Sequence, residues 1–326
     1  MERLIDFEGY RALEDPIINV QLGEDALVTE LILGQPQALV MPGSRIFRDT
    51  PVTSYQFQYE QRGTEHLDDV DTERAMRAEI KIGDWKTETV VDRLRRYSFG
   101  VLKDEDEISN AHPNLRVREV SASLSRRIVE LNLERIKRDL LTATTSYGDG
   151  AGSGDTDLTG SEWNAAGGNA FANIRAACKV ISDATGLPYE ALSVFMADDA
   201  YRAAQEDPTF KAARHNTTTN IGMQKILADY YGVREVWTAN PLERVSGTVT
   251  PMYSDEVIIY YAGDGHGMDT EFGDFSFANN FMWNRGVAST PFYKPGRTSW
   301  VFPWTAYARP KIVGSYNAHL LTGMVA

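Results

Sequence analysis

The longest unbroken helical pattern in the chain is "EVSASLSRRIVELNLERIKRDLLTATTS", residues 119–146. Val117, Val120, Leu124, Ile128, Leu131 and Leu141 fall on one stripe at ~100° per residue, as an amphipathic helix requires. That stripe is expected to face the helix's own sheet. Val129, Leu133, Ile136 and Leu140 fall on the other side, so the second half of the helix is apolar nearly all round and is expected to lie between two layers. Arg126, Arg127, Glu130, Glu134, Arg135, Lys137, Arg138 and Asp139 fill the positions between, and the drift of the stripes excludes a coiled-coil seam. A helix over 114–142 would run ~43 Å, a rod that a single globule rarely needs.

Around this rod the pattern changes four times. Residues 1–45 hold short apolar pieces, "INVQLG" and "ALVTELILG", broken by Pro16, Gly23, Gly34, Pro36 and Pro42, and predict an arm that packs on something else. "TSYQFQYE" alternates Tyr55, Phe57 and Tyr59 with polar residues, and "AEIKIGDWKTETVV", which holds Trp85, alternates again after a charged stretch. This predicts a long two-stranded ribbon, marginal in water unless a partner surface covers its aromatic residues. "KDEDEISNAHPN" supplies acidic residues for a first helical turn and a His112-Pro113 break before the rod. Residues 146–170, rich in Gly, Ser, Thr and Asp, predict a flexible loop. Beyond it, helices at "AFANIRAACKVISDATG", "DDAYRAAQEDP" and "MQKILADYYG" alternate with strands at "LSVFMA" and "VREVWTA". The strand-like runs "DEVIIYYAG", "FSFANNFMWN", "RTSWVFPWTAYARPKIVGS" and "AHLLTGMVA" follow, giving an α+β class with no internal repeat.

Composition narrows the function. The 326 residues are 42% hydrophobic, enough for a sizeable core. No charged-then-apolar leader and no long apolar run occurs, so a cytoplasmic protein outside membranes is expected. The net charge of −13 opposes nonspecific coating of nucleic acid. The single cysteine, Cys178, sits among Ile174, Ala177 and Ile181 and reads as a small buried thiol. "GDGHGMDTEFGD", 263–274, offers Asp264, His266, Asp269, Glu271 and Asp274 as hard-metal ligands, but its spacing matches no motif and a turn between strands explains it. Asp155, Asp157, Thr159 and Gly160 have calcium-loop spacing, yet position twelve is Ala166 rather than a bidentate Glu. His66, His112, His215, His266 and His319 form no zinc pair, and no serine elbow or phosphate loop occurs. No catalytic residue, cofactor or metal site is therefore assigned; a soluble α+β metal-dependent hydrolase using the 263–274 loop is the distant alternative.

Taken in order, these segments resemble the major capsid proteins of tailed bacteriophages, the Hong Kong 97-like fold shared with encapsulin shells. "DEDEISNAH", "LSVFMADDAYRAAQEDPTF", "YYGVREVWTAN" and "MYSDEVIIYYAG" look particularly like members of that family, and the resemblance covers essentially the whole chain. It implies an N-terminal arm at 1–45, an extended β-hairpin loop at 46–98, and a peripheral domain at 99–170 with a spine helix at 114–142. An axial domain at 171–290 and return strands to the peripheral domain at 291–326 complete the implied order. It further implies no turnover but self-assembly as hexamers and pentamers into an icosahedral virion shell around double-stranded DNA, built in the host cytoplasm with a scaffolding protein, a portal and decoration proteins. An encapsulin-type compartment is the alternative within the fold. Tyr55, Phe57, Tyr59, Trp85, Val129, Leu133, Ile136 and Leu140 are the expected assembly contacts. Some family members link subunits covalently through Lys and Asn; Lys81 or Lys86 with Asn317 are conceivable here.

Overall fold

The computed structural model describes residues 41–61, 88–110, 117–148, 154–163, 168–214, 222–245, 247–263 and 276–325. Two five-stranded sheets organise them. The first contains β1 (Phe47–Pro51), β4 (Arg95–Asp104), β11 (Ala278–Ala288), β12 (Phe292–Lys294) and β13 (Ser299–Ile312). β13 is its axis: β11 and β12 pair along one side and β4 runs antiparallel along the other, while β1 pairs in parallel with β11. The register of β11 shifts between Trp283 and Val287. Gly286 occupies that bulge at φ 94°, where a Cβ would meet the Trp304 ring at 2.9 Å, so only glycine fits the turn.

The second sheet runs in the order β5 (Asp155–Asp157), β14 (Ala318–Thr322), β10 (Val257–Tyr260), β6 (Ser193–Met196) and β7 (Glu235–Thr238). Its central strands β6 and β10 are buried at every position because both faces are covered. On one face Val194, Met196, Val257 and Ile259 meet Ile174, Cys178 and Ile181 of α4 (Ala170–Thr185) and Leu227 and Tyr231 of α7 (Met223–Tyr231). Between them in sequence lie α5 (Asp198–Glu206) and α6 (Pro208–Arg214). Asn169 caps α4 by accepting the Ala172 N–H at 2.9 Å, and Gly186 ends it at φ 73°. On the other face Phe195, Trp237, Ile258, Tyr260 and Leu320 pack with Phe47, Leu141, Tyr147 and Phe277, and this layer joins the two sheets.

Two short helices, one long helix and two strand pairs lie outside these two layers. α1 (Pro42–Ile46) precedes β1, α2 (Glu105–Ser109) follows β4, and α3 (Val117–Leu141) is the long helix. β2 (Gln56–Gln61) pairs antiparallel with β3 (Glu88–Arg93), and β8 (Leu242–Val245) forms a separate hairpin with β9 (Thr248–Pro251).

At Val120, Leu124, Val129 and Leu133 the faces of α3 are the reverse of the expectation, whereas Leu141 is buried as its stripe predicts. Val129 and Leu133 are 3% and 9% exposed because they pack with Trp304, Ala306 and Ala308 of the same chain's first sheet, whereas Val120 and Leu124 are 61% and 46% exposed. The reason is Ser121, Ala122 and Ser125: small side chains let the first turns of α3 approach β13 closely. Ser125 Oγ donates to the Phe302 carbonyl at 2.7 Å and accepts the Val101 N–H at 3.0 Å. A serine that bonds sheet backbone belongs inside, although hydropathy places it outside. The stretch 146–170 also departs from a loop, since β5 pairs with β14, and Leu158 and Trp163 enter the core. The chain joins the first sheet already at Ala278 rather than at 291, and β14 leaves it for the second sheet.

Candidate assembly surface

The polar groups that organise the surface begin where the described chain starts. Gly43 N–H donates to Glu134 Oε1 at 2.6 Å, and Tyr253 OH donates to the same oxygen at 3.2 Å. A Cβ on Gly43 would stand 2.7 Å from Lys137 Cβ, so the backbone of α1 approaches α3 as only glycine allows. Lys137 Nζ donates to Ser44 Oγ at 3.4 Å and lies 5.9 Å from the centre of the Phe47 ring. Burial raises the Glu134 carboxyl above its ordinary range against these hydrogen bonds, and burial lowers the Lys137 ammonium against the charge of Glu134. The cluster pins the chain, as it leaves the segment before Met41, to the second half of α3.

A second tie holds the ribbon base. Asp92 of β3 accepts from Arg309 Nε at 2.9 Å and Lys311 Nζ at 2.8 Å, both on β13. Burial works to raise its pKa, but Lys311, the Arg93 N–H and Arg309 outweigh it and hold the carboxyl well below the usual carboxylate range. Phe57 and Tyr59 stack on Phe281 with centroids 4.5 and 5.2 Å apart. Adjacent positions of β11 point to opposite faces, so Phe281 carries the ribbon while Met282 meets the α3 cluster. The first sheet is thus sandwiched between α3 and the ribbon base.

The third tie is Glu243 of β8, which accepts from Arg135 Nε at 2.8 Å and Arg138 Nη1 at 2.5 Å. It docks the β8–β9 hairpin against α3 and leaves Leu242, Val245 and Val249 exposed.

The expected contacts divide accordingly. Tyr55 is exposed. Phe57, Val129 and Leu133 are corrected from contacts with a neighbour to contacts within the chain, Tyr59, Ile136 and Leu140 are half-buried, and Trp85 lies outside the described residues. Lys81 and Lys86 also lie outside them; Asn317 is buried, which removes it as an accessible partner for a lysine. Sequence reasoning missed Val120, Leu124, Leu242 and Val249 as surface residues; the i, i+2 serine and alanine positions beside the helix stripe were the available signal.

Little in this surface is arranged for turnover. Cys178 is a core thiol pushed up to about 12 by burial. Asp157 spends Oδ1 on the Thr159 N–H and hydroxyl, at 2.9 and 2.7 Å, in a turn. Residues 264–274 lie outside the described residues. Among the described residues no group of three or more His, Cys, Asp or Glu side chains could hold a metal ion, and no helix is long and apolar enough to cross a membrane. A cleft of about 280 Å³ is lined by Arg45, Arg48, Asp49 and Arg234; Arg45 pairs there with Glu235 and stacks on Trp237.

No family model matches the sequence. No curated protein matches it either. The structure does find solved relatives. A phage-related protein of Bordetella bronchiseptica is similar with a TM-score of 0.71 at 16% identity, over 92% of this chain and 97% of that one. The capsid of cyanophage P-SCSP1u is similar at 0.58 and 7% identity, over 88% and 89% of the two chains. A virus-like particle from Pyrococcus furiosus is similar at 0.51 and 10% identity, over 90% and 97%. The similarity spans nearly the whole chain in each case, so the protein has the α+β Hong Kong 97-like capsid fold.

Proposed function

We propose that this chain is the major capsid protein of a tailed double-stranded DNA bacteriophage. The observation that carries the reading is a capsid fold along nearly the full chain, combined with the exposed apolar side chains of Val120, Leu124, Leu242, Val245 and Val249. Shell subunits assemble through many modest contacts made at once, and closed symmetry turns them into a stable particle. In this reading α3 is the spine, the β2–β3 ribbon reaches a neighbouring subunit, and hexamers and pentamers enclose the genome in a virion assembled in the host cytoplasm. The inner wall of a subunit with net charge −13 does not trap the packaged DNA. The role is structural rather than catalytic. A scaffolding protein, a portal and decoration proteins are the further partners; correct closed shells formed by this chain alone would remove the scaffolding protein from that set.

Electron microscopy and light scattering of the purified full-length protein test the reading. Curved sheets or closed particles built from rings of six and five subunits are expected. A small oligomer of fixed size, unchanged by concentration, salt and co-expression with a scaffolding protein, overturns it. Particles that carry cargo enzymes and exclude genomic DNA overturn the viral assignment in favour of a compartment.

A further inference from the structure

The cleft of about 280 Å³ opens where the edge of the first sheet meets the second. β1 is the terminal strand of the first sheet, and its Arg48 lines the cleft together with Arg45 of α1, the helix just before it. Arg234 lines it from the second sheet, immediately ahead of β7, where its N–H donates to the Leu192 carbonyl at 2.9 Å. Three guanidinium groups thus share one concavity in a chain whose net charge is −13. Like charges gathered this way repel, and an anion between them removes that cost. Among the described lining residues Asp49 is the one carboxylate, and its Oδ1 accepts from Asn280 Nδ2 at 2.8 Å.

We propose that this cleft binds a phosphate group. Arg45 is held ready for it: Glu235 accepts from Nη2 at 2.5 Å, and the guanidinium lies 4.5 Å from the centre of the Trp237 ring, so little side-chain freedom is lost on binding. Ser44 adds a neutral donor. Its Oγ accepts from Lys137 Nζ at 3.4 Å, which leaves the hydroxyl proton to point to the cleft that Ser44 lines. A planar carboxylate offers two oxygens on one side, whereas a tetrahedral phosphate offers oxygens to forks that arrive from different directions. Arg45 and Arg234 are exposed and Arg48 is half-buried, so a ligand reaches all three from solvent. The volume lies just below the roughly 300 Å³ at which sites for drug-sized ligands begin, and it suits a small group such as pyrophosphate or the phosphate of an ester. An occupant would bridge α1 and β1 to the start of β7, tying the edge of one sheet to the other. The inference goes beyond the shell reading, because it concerns one subunit and holds whether or not that subunit assembles.

The test titrates the full-length protein with inorganic pyrophosphate at low, constant ionic strength by isothermal calorimetry. Saturable binding of one pyrophosphate per chain is expected. Arg48→Gln and Arg234→Gln should each weaken it at least about fivefold, the discounted worth of a charge-assisted hydrogen bond at an exposed site. Asp49→Asn should tighten it about threefold by removing the opposing charge, a gain that a misfolded variant does not produce. No saturable binding overturns the proposal. Affinity unchanged in both arginine variants, with melting temperatures close to the parent protein's, overturns it by placing the anion elsewhere. A second arm adds a single-stranded deoxyoligonucleotide: competition with pyrophosphate that the same variants abolish names a phosphodiester as the source of the group, and absence of competition names a small free phosphate. Particle formation is scored separately by electron microscopy, so absence of shells with pyrophosphate binding intact would refute the capsid reading alone.

Discussion

Glu134 and Lys137 bring opposite charges into a space almost closed to water, and their chief partners are the backbone and hydroxyl groups of α1 and Tyr253. Breaking such a cluster from one side leaves a buried charge without compensation, which costs about 3 kcal/mol. Lys137→Met should lower the stability of the unassembled subunit by that order. Glu134→Gln should cost less, because the amide oxygen still accepts the Gly43 N–H. Combining the two should cost clearly less than their sum; strict additivity in denaturant titrations would show the charges do not interact. His319 makes a separate acid-sensitive point. Burial lowers its pKa to about 4 while the charge of Asp155 pulls the other way, and Nε2 pairs with Thr156 Oγ1 at 2.9 Å. A depressed folded pKa means stability fully present above the unfolded value near 6.5 and lost as pH falls through 4. The loss should approach roughly 3 kcal/mol. His319→Gln should flatten the stability profile between pH 6.5 and 4, and an unchanged slope there would assign the acid sensitivity elsewhere.

Among the elements, the ribbon and the long helix show how far pattern reading carries. The alternation around Tyr55, Phe57 and Tyr59 announces a strand pair, and β2 and β3 form one. Which aromatic residues stay outside was not legible: Phe57 finds Phe281 more than two hundred residues later, a contact that no local period encodes. Asp92 is likewise an ordinary strand carboxylate until Arg309 and Lys311 arrive. Asp92→Ala should weaken the ribbon base by about 2 kcal/mol, the scale of charge-assisted hydrogen bonds. Faster hydrogen exchange across 88–93 with the second sheet unchanged is the expected signature. Removing 62–74 from the ribbon should leave the subunit folded by circular dichroism and impair assembly; normal particles from that variant would deny the ribbon an assembly role. In α3 the extent was legible and the inward face was not, because Ser121 and Ser125 are buried through hydrogen bonds and small size rather than hydropathy.

At the scale of the molecule, the two sheets share one apolar layer containing Phe47, Leu141, Tyr147, Phe195 and Phe277, so the end of the long helix and the second sheet belong to one core. The β8–β9 hairpin is fastened to α3 by one carboxylate between two arginines, and its outer residues Leu242 and Val249 face solvent. With Val245 also exposed, three apolar residues on an isolated strand pair are a surface suited to a neighbouring subunit. Val249→Lys should leave the subunit's melting temperature within a few degrees and reduce particle yield, measured by sedimentation; full yield would place the hairpin away from subunit contacts.

By itself, the sequence determined the α+β class, the order of ribbon strands, long helix and alternating elements, and the buried state of Cys178. These follow from local periods of two and 3.6 residues and from caps and breakers within one turn of each helix end. Only the tertiary structure decided which stripe of α3 meets the sheet, that Leu158 and Trp163 leave a polar stretch for the core, and that Glu134, Gly43 and Tyr253 converge. Each of those depends on partners distant in sequence, where close approach of small residues and satisfaction of buried polar groups outweigh the hydropathy of any single segment.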